Sequence, residues 1–200
     1  MDDPQLPAYY NDIDATREQA LDLIARGVKD RRSGFHTFTV ATSVHDGPPS
    51  LRTVVNRGFD MATRTLRFHT DQRSTKLAEI AANPNVAVHM YDAKQKVQMR
   101  LKALATAHQS GDLHEGAWAA TRDFSRECYR VMRAPGDVID DPSDLAFAAN
   151  DKPEEGVQNF AAVTLHIQSL EWLYLAHQGH RRALFAWNDD MTMQQNWLVP

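Results

Sequence analysis

The residues of this chain best suited to chemistry stand in a few short segments. In Arg52-Thr53-Val54-Val55-Asn56-Arg57, strand alternation places Arg52 with Val54 on one face and Thr53, Val55 and Arg57 on the other. Arginines at both ends of a β-branched strand suit an anion, because a guanidinium can grip a phosphate through two parallel hydrogen bonds. A second segment, Phe68-His69-Thr70-Asp71-Gln72-Arg73-Ser74-Thr75-Lys76, passes from a strand into a helix. Two hydroxyls, an Arg and a Lys meet a helix start there, where free N–H groups and the positive dipole end favour phosphate. The same spacing also reads as a capped helix with a solvated basic face.

Gln98 begins a further strand, and its amide has the donor and the acceptor needed to read a ring edge carrying both. An exposed strand-edge Gln is the plain alternative. Near the end stand Trp172, His177, His180, Arg181 and Arg182. The two histidines have a metal-like spacing, but Gln178-Gly179 between them implies a turn and no carboxylate joins them, so exposed loop histidines are the expectation. Cys128 is the only cysteine, which excludes an intrachain disulfide and a Cys-based zinc site; within a helix-like stretch it reads as a small core residue.

The elements that position these residues can be read from periodicity. Residues 1–11 form an irregular arm, and Asp12 and Asp14 cap a helix with an apolar stripe of Ala20, Leu21, Leu23, Ile24 and Val28 that ends near Gly34. Strands are expected over 35–44, 50–59 and 65–70, the first two separated by a turn at 45–49. Ser74 caps a helix over 75–82, stopped by Asn83-Pro84. Strands 85–91 and 97–107 form a hairpin around the turn 92–96. Residues 111–133 read as an amphipathic helix, 134–155 as a long surface loop, and 159–167, 171–176, 182–187 and 196–199 as closing strands. The chain is thus mainly β with helical additions, an antiparallel Greek-key-like barrel in a single domain over 1–200. None of its nine glycines makes a dinucleotide fingerprint or a phosphate loop, so a nucleotide here would be held by side chains.

Composition narrows the partners. The 200 residues carry a net charge of −4, from 22 basic and 26 acidic side chains, a poor match for nucleic acid but compatible with a local arginine cluster for a small anion. The acidic start without an apolar run is unlike a secretory signal, and no stretch approaches the ~20 apolar residues that span a bilayer. The expected location is cytoplasmic.

Taken in order, these segments resemble the pyridoxamine 5′-phosphate oxidase family, the FMN-binding split barrels, over residues 33–200. Arg52 to Arg57 resembles the family's R-x-V-x-x-K/R strand, and Phe68 to Lys76 its F-Y-T-x-x-x-S-R-K segment. Gln98 falls at a flavin-contacting Gln, and Trp172, His180 and Arg182 fit a W-x7-H-x-R pattern. The resemblance implies a homodimer with FMN at the subunit interface. Arg52 and Lys76 would hold the FMN phosphate beside Ser74 and Thr75. Thr53, Val54 and Val55 would line the flavin with backbone groups, Arg57 would sit near ring and substrate, and His69-Thr70 would flank the ribityl chain or ring. Gln98 would contact the ring, with Trp172 and Arg182 supplied by the other subunit. Tyr129 and Arg133 match a Y-x-x-x-R pair for a substrate phosphate, and His180 matches a substrate-side residue.

The chain departs from that pattern at three places. Thr75 stands for an Arg, with Arg73 as its candidate replacement; Asp137 stands for a Ser at the substrate phosphate, where a carboxylate repels a dianion; Gln178 stands for an Arg over the substrate. The implied activity is FMN-dependent oxidation of a pyridoxal-type amine or alcohol with oxygen as acceptor. The alternatives are an FMN-dependent reductase on another small molecule, or a flavin- or haem-binding module without catalysis.

Overall fold

The structure, a computed structural model, describes residues 6–44, 47–148, 154–188 and 192–200. Residues 1–5 of the arm, 45–46 of the first turn and 149–153 of the long loop lie outside the described residues.

The described residues form nine antiparallel strands in one curled sheet. They are β1 (Thr37–Thr42), β2 (Ser50–Val55), β3 (Gly58–Asp60), β4 (Thr65–Asp71), β5 (Asn85–Asp92), β6 (Val97–His108), β7 (Phe160–Tyr174), β8 (Arg181–Trp187) and β9 (Met193–Leu198). The main path runs β2-β1-β5-β6-β7-β4-β3, and β8 and β9 extend from β7. Among the described residues four α-helices accompany the sheet: α1 (Ile13–Lys29), α2 (Thr75–Ala82), α3 (Asp112–Ala119) and α4 (Asp123–Arg126).

Alternation gives the sheet an apolar inner face. Phe38, Val88, Met99, Leu165 and Phe185 meet there, fully or almost fully buried, and α1 adds Ala20, Leu23 and Ile24. At ~25 cal/mol per Å² of apolar area, this shared interior is the main stabilising term. A second, smaller cluster of Ala117, Trp118, Tyr129, Phe160 and Ala162 lies where α3 covers β7.

The curl closes at a two-residue step. The expected strand 50–59 divides at Asn56-Arg57 into β2 and β3, which occupy opposite edges of the sheet path. The Asn56 N–H donates to the His36 carbonyl at 2.8 Å, and the Arg57 N–H donates to the Arg67 carbonyl at 2.8 Å. The chain therefore crosses from one edge to the other within one residue. Asn56 is fully buried and holds the step by donating from Nδ2 to the carbonyls of Ile24 (2.9 Å) and Phe35 (3.3 Å).

Other boundaries also differ from the sequence reading, each for a local reason. Helix α1 starts where Asp12 accepts from the Ala15 N–H, but it ends at Lys29, not Gly34. Asp30 turns the chain by accepting from the Arg32 N–H and from the Arg26 guanidinium. The expected 171–176 strand is continuous with 159–167 as β7, because the register slips by one residue opposite Lys102/Ala103; Gln168 is absorbed as a bulge. The expected helix over 111–133 breaks after Ala119: the Thr121 hydroxyl donates to the Ala117 carbonyl at 2.7 Å and Arg126 to the Trp118 carbonyl at 3.0 Å. Cys128 is exposed rather than in the core. Within 134–148 there is a short turn at Pro142–Asp144 and a bridge between Val131 and Phe147.

Candidate active site

The anion-binding residues converge at one end of the barrel. Thr42 occupies the last inner-face position of β1, opposite Ser50, with Arg52 the next inner-face residue of β2, and α2 packs against β1 and β6. Arg52 donates to the Ser50 hydroxyl (2.8 Å) and carbonyl (3.0 Å), to the Thr42 hydroxyl, and to the Glu79 carboxylate at 2.9 Å. Thr42 in turn donates to Glu79. The Thr42 bond, reinforced by Arg52, holds the Glu79 carboxyl below its ordinary range despite burial.

Lys76 lies beside this pair. Its ammonium donates to the hydroxyls of Thr70 (2.8 Å) and Ser74 (2.7 Å). Ser74 therefore does not cap α2 through its side chain as the sequence suggested; its oxygen is taken up by Lys76. Burial, followed by the nearby Arg52 charge, lowers the Lys76 pKa. Two cations, the Thr70 and Ser74 hydroxyls and the open N–H groups at the start of α2 make a donor set fit for a phosphate, with Glu79 as the resident counter-charge. Thr75 is exposed at the rim. Arg73 does not join the set: it clasps Asp71 (2.6 and 3.0 Å) and donates to the carbonyls of Val131 (2.9 Å) and Met132 (3.1 Å).

A free backbone edge leads away from this seat. β2 pairs only with β1, and the Asn56-to-His36 bond fixes which residues face that partner. Hydrogen-bonded pairs alternate along an antiparallel ladder, so Arg52 and Val54 turn their amides toward β1, whereas Thr53 and Val55 turn theirs outward. Thr53 and Val55 thus offer alternating donors and acceptors to a planar ring, and Val54 contributes a buried side chain to the core. β2 approaches β4 across this cleft, where His69 and Thr70 lie.

Arg57 and His69 stand at the far side. His69 is on the outer face of β4 with its ring edge-on to Phe160, centroids 4.8 Å apart. Burial, then the charges of Arg67 and Arg57, push its pKa down to about 3, so the imidazole is neutral. Tyr129 is buried against Phe160 and Trp118, and burial raises the pKa of its phenol. The Tyr129/Arg133 pair is not assembled, because no helix joins them: Arg133 is exposed in the loop and donates to the Val138 carbonyl. Asp137 closes that loop by accepting from the Ala134 N–H at 3.0 Å.

Gln98 and Arg182 lie elsewhere. Gln98, Leu173 and Arg182 are cross-strand partners on the outer face, as are Arg100, Glu171 and Leu184. Arg182 donates to Glu171 at 3.0 Å, and Arg100 donates to the same carboxylate. β6 is three strands from β2, roughly 14 Å at normal strand spacing, and Gln98 faces away from the side that carries Arg52. One chain therefore does not bring Gln98 and Arg182 to the phosphate seat. This outer face forms a concavity of about 730 Å³ reaching from Leu51 on β2 to Leu184 on β8, and Leu51 is 63% exposed within it. Trp172 points the other way, fully buried in the core beside Tyr9 and Tyr174. His180 is exposed next to Arg181 and the chain end, in a separate hollow.

Sequence reading missed Glu79, Thr42 and Glu171. The only signal for Glu79 was its place one turn after Lys76 on α2. Glu171 and Thr42 become visible only through strand register. Among the described residues no three His, Cys, Asp or Glu side chains converge as metal ligands, and no helix is long and apolar enough to cross a membrane.

Residues 19–109 match the family model described as pyridoxamine 5′-phosphate oxidase, FMN-binding domain. A pyridoxine/pyridoxamine 5′-phosphate oxidase of Sphingopyxis alaskensis is 32% identical over 162 residues, covering 75% of this chain and 71% of that protein. The corresponding protein of Rubrobacter xylanophilus is 37% identical over 87 residues, covering 44% of this chain but only 38% of the relative. Among solved structures, a pyridoxamine 5′-phosphate oxidase-related, FMN binding protein from Nostoc punctiforme superposes with a TM-score of 0.76 at 24% identity, over 98% of this chain and 100% of that one. PhzG from Burkholderia lata, in complex with tetrahydrophenazine-1-carboxylic acid, superposes at 0.72 with 15% identity, over 98% of both chains. At these identities the two structures establish a shared fold.

Proposed function

Since this chain belongs to the pyridoxamine 5′-phosphate oxidase family of FMN-binding proteins, we propose that it is an FMN-dependent oxidoreductase whose site is completed by a second copy of itself. The observation that carries the reading is the meeting of Arg52, Lys76, Thr70 and Ser74 at the start of α2, next to the free edge of β2. Arg52 and Lys76 would bind the FMN phosphate with Ser74, Thr75 and Thr70. The backbone groups of Thr53 and Val55 would meet the ring edge, and Arg57 and His69 would border the substrate side. Gln98 and Arg182 would reach the ring from the partner, whose docking face is the concavity around Leu51. When bound, FMN supplies two-electron oxidation and reduction; the chain supplies binding, orientation and a low-polarity surround.

The family suggests a pyridoxal-type amine or alcohol as the electron donor and oxygen as the acceptor. Oxygen uptake by FMN-loaded protein with pyridoxamine or pyridoxine 5′-phosphate tests this, and no uptake at saturating substrate rejects it. A second reading, a reductase acting on another small molecule, is favoured by the separation of Tyr129 from Arg133 and by Asp137 in the loop that follows. It predicts that the chemically reduced flavoprotein is reoxidised by a quinone or nitro compound while vitamin B6 phosphates are not turned over.

A further inference from the structure

A second group of cations surrounds a cavity between the end of α1, β4 and the end of α3. Its volume is about 290 Å³, and Lys29, Arg31, Arg57, Arg67 and Arg122 line it without a single carboxylate. Among the described residues none of these five forms an ion pair. Several arginines outside the cavity do have a carboxylate partner: Arg52 pairs with Glu79, Arg73 with Asp71 and Arg182 with Glu171. Five uncompensated like charges around one small cavity repel one another, so the arrangement favours a ligand that brings the missing negative charge.

The floor of the cavity carries polar atoms without partners. Arg67 Nε, His69 Nε2 and Asn56 Oδ1 are all buried and unpaired. Buried polar atoms are normally satisfied, and each orphan costs roughly 1–3 kcal/mol. Asn56 is fully buried with both Nδ2 bonds committed to the chain, so its free oxygen can only accept. His69 has the same character. The Thr121 hydroxyl gives its proton to Ala117, so His69 Nδ1 is the donor across the 3.5 Å contact with Thr121, leaving Nε2 as an acceptor. The neutral state of His69 agrees with this assignment.

We propose that this cavity binds a small polyanion that also carries a hydroxyl or amine donor. The anionic groups meet Arg67, Arg122 and the neighbouring cations, and the donor reaches Asn56 Oδ1 and His69 Nε2. The site is distinct from the phosphate seat at α2 and from the Tyr129/Arg133 pair. It adjoins the flavin cleft through Arg57 and His69 but does not require flavin.

Calorimetric titration of the purified protein with citrate, a hydroxylated tricarboxylate, tests the proposal against tricarballylate, which differs from citrate only in lacking the hydroxyl. One citrate per chain is expected, with tricarballylate at least fivefold weaker. Arg67→Gln and Arg122→Gln are each expected to weaken citrate at least tenfold, while Lys94→Gln, removing an equal charge outside the cavity, leaves it unchanged. Arg122 is exposed, so its variant separates loss of the site from loss of folding. Failure to bind citrate, equal loss in Arg122→Gln and Lys94→Gln, or equal affinity for the two acids would overturn the proposal. Flavin absorbance in the same samples reports cofactor binding separately, so failure of this site and failure of the flavin reading are distinguishable.

Discussion

The Arg52 guanidinium donates to the Glu79 carboxylate at 2.9 Å, and the Thr42 hydroxyl bridges the two. Glu79 thereby occupies the counter-charge position that a cofactor phosphate would share with Lys76. Binding must exchange one partner of Arg52 for another, so part of the attraction for phosphate is offset by loss of this pair. Glu79→Gln is expected to tighten FMN binding about fivefold to tenfold, roughly 1 kcal/mol, as measured by quenching of flavin fluorescence. Unchanged or weaker binding would mean that Glu79 orients Arg52 for the cofactor instead of competing with it.

Lys76 gives a prediction in pH. Its lowered pKa makes the proton easier to lose before a phosphate arrives, so FMN affinity should begin to fall at a pH below the ordinary lysine value of 10.5. Lys76→Met should weaken FMN by about 10- to 100-fold at neutral pH, in line with charge-assisted hydrogen bonds of ~1.5–3 kcal/mol, and should abolish the alkaline decline. In FMN-free protein the sign is the reverse. The unfolded chain holds the Lys76 proton more tightly than the folded one, so stability relative to the Met variant rises as pH climbs through the lowered value toward 10.5.

His69 governs the acid side. Its folded pKa of about 3 lies below the unfolded value of 6.5, so the unfolded state takes up a proton that the folded state refuses. The stability contribution is complete above pH 6.5 and is lost as pH falls toward about 3. Chemical denaturation at successive pH values should show the wild type losing roughly 3 kcal/mol relative to His69→Gln by about pH 4. Parallel curves for the two proteins would place His69 in contact with water rather than buried against Phe160.

Much of this fold could be read from the chain because the strands alternate cleanly: β5 and β6 appear at the expected place, and α2 spans its expected residues. Alternation also separated Arg52 from Thr53 and Arg57. Where reading failed, a long-range contact had overridden a local pattern. Residues 168–170 look like a break, but only Gln168 is skipped, as a bulge in β7 opposite β6. Tyr129 and Arg133 have helical spacing, yet the helix has already ended under Thr121 and Arg126. Trp172 and Arg182 look like companions, but β7 and β8 pair through Leu173, which sends the two side chains to opposite faces. No local rule could show that Glu79 lies against Arg52, because that contact depends on how α2 docks on the barrel.

The outer concavity predicts an assembly. Leu51→Glu places a charge at the exposed β2 rim of this concavity and should convert a particle of twice the 22.6 kDa chain mass into one of a single chain, as read by light scattering. If Gln98 and Arg182 reach the flavin from the partner, the same variant loses FMN affinity. A dimeric Leu51→Glu protein, or a monomer that keeps full FMN affinity, contradicts the shared site.

The central claim is that Arg52 and Lys76 seat the phosphate of FMN beside the free edge of β2, and the most direct measurement is a parallel titration of the purified protein with FMN and with riboflavin, which has the same ring and no phosphate. The account predicts one FMN per chain and binding of riboflavin weaker by at least ~100-fold, about 2.7 kcal/mol, with Arg52→Ala erasing most of that difference. Equal affinity for the two flavins, or no binding of either, would contradict it.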